Sequence, residues 1–172
     1  SREMLPRARE CFEQAIALDP NFVQAHCEYG IYFMMMVVLG LESPQEGWLK
    51  VRAQAQKALA LAPDLAEGHA MLGTVAGSLD YQWRDAEMHF QRALAQQPVP
   101  VNVRVYYSLH LHKVGRPLDA VQEADLGLQD DPLSMLLRSN RATYLAPAGR
   151  PCGGAASNTP PTSRPPAARM PR

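Results

Sequence analysis

The chain is predicted to be all-α: an antiparallel helix-pair solenoid of seven to eight helices, followed by a disordered tail. Three observations predict this. The first is a recurring phrase. Phe12, Ala15, Pro20 and Gly30 return as Ala55, Ala58, Pro63 and Gly73, then as Phe90, Ala93, Pro98 and Ser108, then as Ala124, Gly127, Pro132 and Ala142. The prolines lie 43, 35 and 34 residues apart, and a fixed period of this size marks a repeat array. The second is the grammar within each phrase. Residues three apart share one helix face, and the proline that follows cannot continue a helix interior. The third is the small residues, which fall where two helices must cross. No unit alone can bury its apolar face, so neighbouring units must stack.

The elements follow in order. Residues 5–18 read as a helix with Leu5, Phe12, Ala15, Ile16 and Leu18 inward and Pro6 in its first turn. Residues 22–40 read as the next, and its second half, IYFMMMVVLGL, carries no charge. Eleven residues fall well short of the ~20 needed to cross a bilayer. The stretch therefore belongs to a central helix buried on two sides, or to one whose second face lines a partner groove. Ser43 and Glu46 form a capping box with Pro44 at the first helical position, which opens a helix over 44–62. The first unit exceeds the common 34-residue period by nine residues, an excess assigned to the region 36–47. Helices over 65–79 and 84–96 form the next pair, with Trp83 covering their joint. Helices over 101–114 and 118–129 follow, separated by Gly115-Arg116-Pro117, with glycine at one helix end and proline at the next start. A last helix spans 134–146. Asn21, Asp64 and Ser134, close behind the prolines, are expected N-caps.

This pattern resembles the tetratricopeptide repeat (TPR) over roughly residues 5–147: a small residue, a large apolar residue or Ala four later, Ala three after that and Pro five after that. His26, Tyr29, Gly30 and Phe33 match the other helix of the family's repeat, as do His69, Leu72, Gly73 and Ala76. Arg104, Arg138 and Arg141 depart from it, standing where apolar or aromatic residues are usual. The resemblance implies a right-handed superhelix whose first helices line a concave groove. Carried over residue by residue, the partner groove comprises Cys27, Ile31, Met34 and Met35, then Met71 and Thr74, then Val105, Tyr106, Leu109 and Lys113. Gln24, Glu28, Glu67, Ala70, Asn102 and His112 are carried over as lining too. The Lys and Asn clamp with which one subclass grips C-terminal carboxylates is absent at these places. An apolar helix or extended segment of a protein partner, or a second copy of the chain, is the expected occupant, with methionines giving an adaptable surface. Phrases such as ALDPNF and LDYQWRDAEMHFQRAL look like bacterial arrays, which are often joined to a Ser/Thr kinase or a winged-helix regulator.

Composition narrows the function classes. The 172 residues are 47% hydrophobic and 20% charged, an ordinary globular balance. Net charge is zero, but residues 1–147 hold 13 Lys/Arg against 17 Asp/Glu, and all four remaining arginines lie in the last 25 residues. A mildly acidic body argues against a nucleic-acid groove, and sparse tail charges argue against a membrane anchor. Cys11, Cys27 and Cys152 form no disulfide framework, so a reduced, cytoplasmic setting is expected.

Residues 148–172 contain no Leu, Ile, Val, Phe or acid and are predicted to be disordered. Their abrupt loss of register after a matching turn reads as an out-of-frame ending, and a start in mid-repeat reads as a piece of a longer protein.

Chemistry is not legible. There is no phosphate loop, HExxH or nucleophile elbow. His110 and His112 point about 200° apart on a helix and cannot clamp one ion; they read as surface or groove residues. His26 and His69 hold matching places and read as helix–helix contacts. Neither catalytic residues, cofactor nor metal are expected, and the array reads as a protein–protein interaction scaffold.

Overall fold

The computed structural model describes residues 4–146; the expectations for 148–172 lie outside them. Within the described residues eight helices follow one another: α1 (Met4–Leu18), α2 (Val23–Val38), α3 (Pro44–Leu61), α4 (Ala66–Val75, prolonged by a π-helical turn, Ala76–Asp80), α5 (Trp83–Leu94), α6 (Val101–Lys113), α7 (Pro117–Asp130) and α8 (Met135–Leu145). Among the described residues there is no strand.

The tightest packing joins α2 to α3, α4 to α5 and α6 to α7, which are the three complete antiparallel pairs. α1 packs on α2 and α8 on α7. A second set of contacts links α2 to α4, α4 to α6 and α6 to α8, whereas α1, α3, α5 and α7 do not touch one another appreciably. One layer is thus close and the other splayed, so the stack curves with α2, α4, α6 and α8 on its inner side.

The recurring small residues explain why the layers close. Ala58, Ala93 and Ala124 are fully buried. A Cβ on Gly127 would stand 2.6 Å from Leu137 Cδ1, one on Gly73 3.0 Å from the Phe90 ring, and one on Gly30 2.4 Å from Met71 Sδ. Ser108 fills the same role with a hydroxyl, which donates to Val105 O at 2.9 Å and meets Tyr144 Oη at 3.2 Å. Two core clusters result, one over α1–α4 around Phe33, Val51, Met71 and Val75, the other over α4–α8 around Phe90, Val103, Leu111 and Leu137. Each fully buried large side chain contributes about 1.5–3 kcal/mol. Tyr106 packs against both clusters and ties them.

The expected caps need correction. Ser43 Oγ accepts the Glu46 N–H at 3.3 Å and Ser134 Oγ that of Leu137 at 3.5 Å, as cap chemistry requires. Asn21 and Asp64 cap nothing: the residues before α2 and α4 are Phe22 and Leu65. The aspartate before the proline acts instead. Asp19 Oδ1 accepts the Asn21 N–H and Asp131 Oδ1 that of Leu133, at 2.9 and 3.1 Å, closing an Asx turn at each junction. Against the pair α6–α7, the nine extra residues of the first unit are spread over α2 (16 residues against 13), the connection 39–43 (5 against 3) and α3 (18 against 14).

The out-of-pattern arginines are accommodated by acids. Arg104 bridges Glu123 at 3.1 Å and Asp130 at 3.4 Å on α7, and Arg141 pairs with Asp125. Arg138 is exposed.

Candidate functional site

The inner face begins with α2. Phe12, Tyr29, Tyr32 and Phe33 form an aromatic knot, with Tyr29 and Phe33 centroids 4.4 Å apart. The Tyr29 hydroxyl donates to Glu13 Oε1 at 2.7 Å, and the Tyr107 hydroxyl repeats this further along the array, donating to Glu87 Oε1 at 2.7 Å. These buried tyrosines anchor α2 on α1 and α6 on α5. His26 and His69 serve the same purpose. Their Nε2 atoms lie 2.9 and 3.0 Å from Pro20 O and Pro63 O, so each ring donates to the carbonyl of its own inter-helix turn. His69 Nδ1 then accepts from His89 Nδ1–H at 3.2 Å.

The apolar tail of α2 divides. Tyr32, Phe33 and Met34 are buried, while Met35, Val38, Leu39 and Leu41 are 43, 79, 55 and 54% exposed. Burial thus changes along the helix rather than across it.

The ten residues expected to line a groove fall into three groups. Cys27, Met34, Met71 and Val105 lie in the core, because α2, α4 and α6 approach one another closely enough to cover them. Burial, with Glu67 and Glu28 nearby, pushes the Cys27 thiol up to about 12, so it is no nucleophile. Ile31 is half-buried and Met35 lies at the surface. The remaining four come together. Thr74, Tyr106, Leu109 and Lys113 line one cavity of about 420 Å³.

Other walls of that cavity, His112 apart, were not foreseen. Val38 and Trp48 close it from α2 and α3, Phe90 forms its floor, and Ser78 enters from the π-helical turn. His110 and His112 complete the lining. His110 is a buried lining residue rather than a surface one, being 6% exposed and packed on Phe90 at 5.1 Å and Trp83 at 6.2 Å. Gly77 admits it: a Cβ there would stand 3.0 Å from His110 Nδ1. Desolvation lowers the His110 pKa, partly offset by Glu87. Burial and Glu28 push the Tyr106 hydroxyl up to about 12. The π-helical turn carries the only available signal for Ser78, an extra residue before Trp83, and periodicity does not reveal which side chain it turns inward.

Lys113 Nζ donates to Ser78 Oγ at 2.7 Å. Among the described residues no group of three or more His, Cys, Asp or Glu is placed to hold a metal, and no helix is long and apolar enough to cross a membrane.

No family model matches the chain. The transcriptional regulator HilA of Salmonella typhimurium is 22% identical over 128 residues, which are 74% of this chain and 23% of HilA. The chain therefore spans under a quarter of the curated relatives it matches. Among solved structures, a thermophilic TPR protein of Thermus thermophilus superposes with a TM-score of 0.65 at 18% identity, over 83% of this chain and 74% of that one. The human IFIT1 dimer with m7Gppp-AAAA superposes with a TM-score of 0.69 at 21% identity, over 81% of this chain and 31% of that one. The chain has the tetratricopeptide-repeat fold.

Proposed function

We propose that the array is a protein–protein interaction scaffold whose inner face holds an apolar helix or extended segment of a partner. What supports this reading is one observation: exposed Val38, at the end of α2 beyond exposed Met35, lines a cavity walled by Trp48, Tyr106 and Leu109. Such a concave, mostly apolar surface with a few polar groups suits a peptide side chain as anchor. The partner is a protein rather than nucleic acid, since the body is mildly acidic and no basic stripe crosses the face. The similarity to part of HilA supports placing the array within a bacterial, cytoplasmic regulator, with any activity residing in other domains.

The test uses Met35→Asp and Leu109→Asp, both on exposed side chains. Each should lower partner capture at least tenfold in a quantitative pull-down while leaving helicity by circular dichroism unchanged. Tyr106→Asp is unsuited, because Tyr106 packs into both cores. Capture unaltered by either change would remove the inner face from consideration. Light scattering across a concentration series separates a second copy of the chain from a foreign partner: a mass that rises with concentration makes the groove a self-association surface.

A further inference from the structure

The cavity between α2, α3, α4, α5 and α6 has a chemistry that a peptide groove does not require. Its volume of about 420 Å³ falls in the ~300–1,000 Å³ range of small-molecule sites. Val38, Trp48, Phe90, Tyr106 and Leu109 give it an apolar body. None of the ten lining residues is an acid, although Glu28 and Glu67 stand close by.

One full cation, Lys113, stands among the lining residues. It is fixed by Ser78 Oγ, and no carboxylate of the described residues lies within ion-pair distance of it. Desolvation lowers its pKa, although the residue stays exposed. Arg104, by contrast, is matched by Glu123 and Asp130.

We infer that this cavity binds a small apolar carboxylate, with its hydrocarbon body against Trp48, Tyr106 and Leu109 and its carboxylate accepting from Lys113 Nζ and the Ser78 hydroxyl. The apolar body supplies affinity in proportion to the surface removed from water. The charge-assisted hydrogen bond selects an acid over an alcohol or an amine of the same length. The site goes beyond the scaffold reading and shares only part of its surface: Met35, on which partner capture depends, does not line the cavity.

The experiment is isothermal titration of the full chain with octanoate, 1-octanol and octylammonium, with Trp48 emission as a second readout. Octanoate is expected to bind saturably and at least tenfold more tightly than either control. Lys113→Met should erase that preference while keeping alkyl binding, and Leu109→Trp should block all three probes by filling the cavity. Met35→Asp should leave octanoate binding unchanged, so loss of partner capture and loss of octanoate binding are separable. Equal affinity for octanoate and octanol, a preference that survives Lys113→Met, or no saturable uptake would each overturn the inference.

Discussion

Histidines show how a residue's environment outweighs its type. His26 and His69 hold inter-helix turns through a carbonyl bond, whereas His110 is swallowed by the core because Gly77 leaves room for its ring. Burial lowers the pKa of both His110 and His89, the latter aided by its neighbour His69. In the unfolded chain these rings take up protons near the ordinary ~6.5. Below that value the unfolded chain binds more protons than the folded one, so stability is complete above it and is lost as pH falls toward the folded pKa values. The urea midpoint should therefore decline between about pH 6.5 and pH 5, before carboxylates titrate. His110→Gln should roughly halve that slope, leaving the His89 share. An unaltered slope would mean that His110 is already solvated when folded.

Elements are set by where small residues permit contact. Gly73 on α4 sits against the Phe90 ring and, at 3.1 Å from a Cβ position, the Ala86 carbonyl of α5. Gly30 faces only the flexible end of Met71 and the Gln54 Cβ. Alanine gains up to ~1 kcal/mol of helix propensity over glycine. At Gly73 this is outweighed by overpacking of ~1–3 kcal/mol, because neither a buried ring nor a backbone carbonyl can withdraw. Gly73→Ala should thus destabilise by about 1 kcal/mol or more, and Gly30→Ala by less, as chemical denaturation would show. The reverse order would place the tighter helix crossing at Gly30, where α2 meets α4 and α3. These glycines were legible in the sequence from their spacing. The π-helical turn that ends α4 was not, because its extra residue changes no apolar period; it alone turns Ser78 toward Lys113.

At the scale of the whole molecule, stability is a sum of units and the interfaces between them. α4 and α6 touch both neighbouring inner helices and, with Tyr106, join the two clusters. α1 has no buried residue, and α8 and the turn before it leave Leu133, Met135, Leu136 and Leu145 at the surface. Hydrogen exchange should accordingly be slowest in α4 and α6 and fastest in α1 and α8. Tyr106→Ala should raise exchange in both halves together. Uniform protection across all eight helices would contradict an array and indicate a single cooperative core.

The sequence alone determined the helices, their pairing and the places where they cross, because those rest on local rules: a face period, a proline stop and a small side chain at each contact. It also determined that Thr74, Tyr106, Leu109 and Lys113 share the inner layer. Only the tertiary structure decided which inner residues remain available. Cys27, Met34, Met71 and Val105 obey the same periodicity, yet the close approach of α2, α4 and α6 seals them in, and the cavity adds Trp48 from α3, Ser78 from the π-helical turn and His110 from α6 itself. A one-dimensional repeat fixes neighbours along the chain. The depth to which neighbouring pairs interlock, set by side-chain volume at each crossing, fixes what is left open to a ligand.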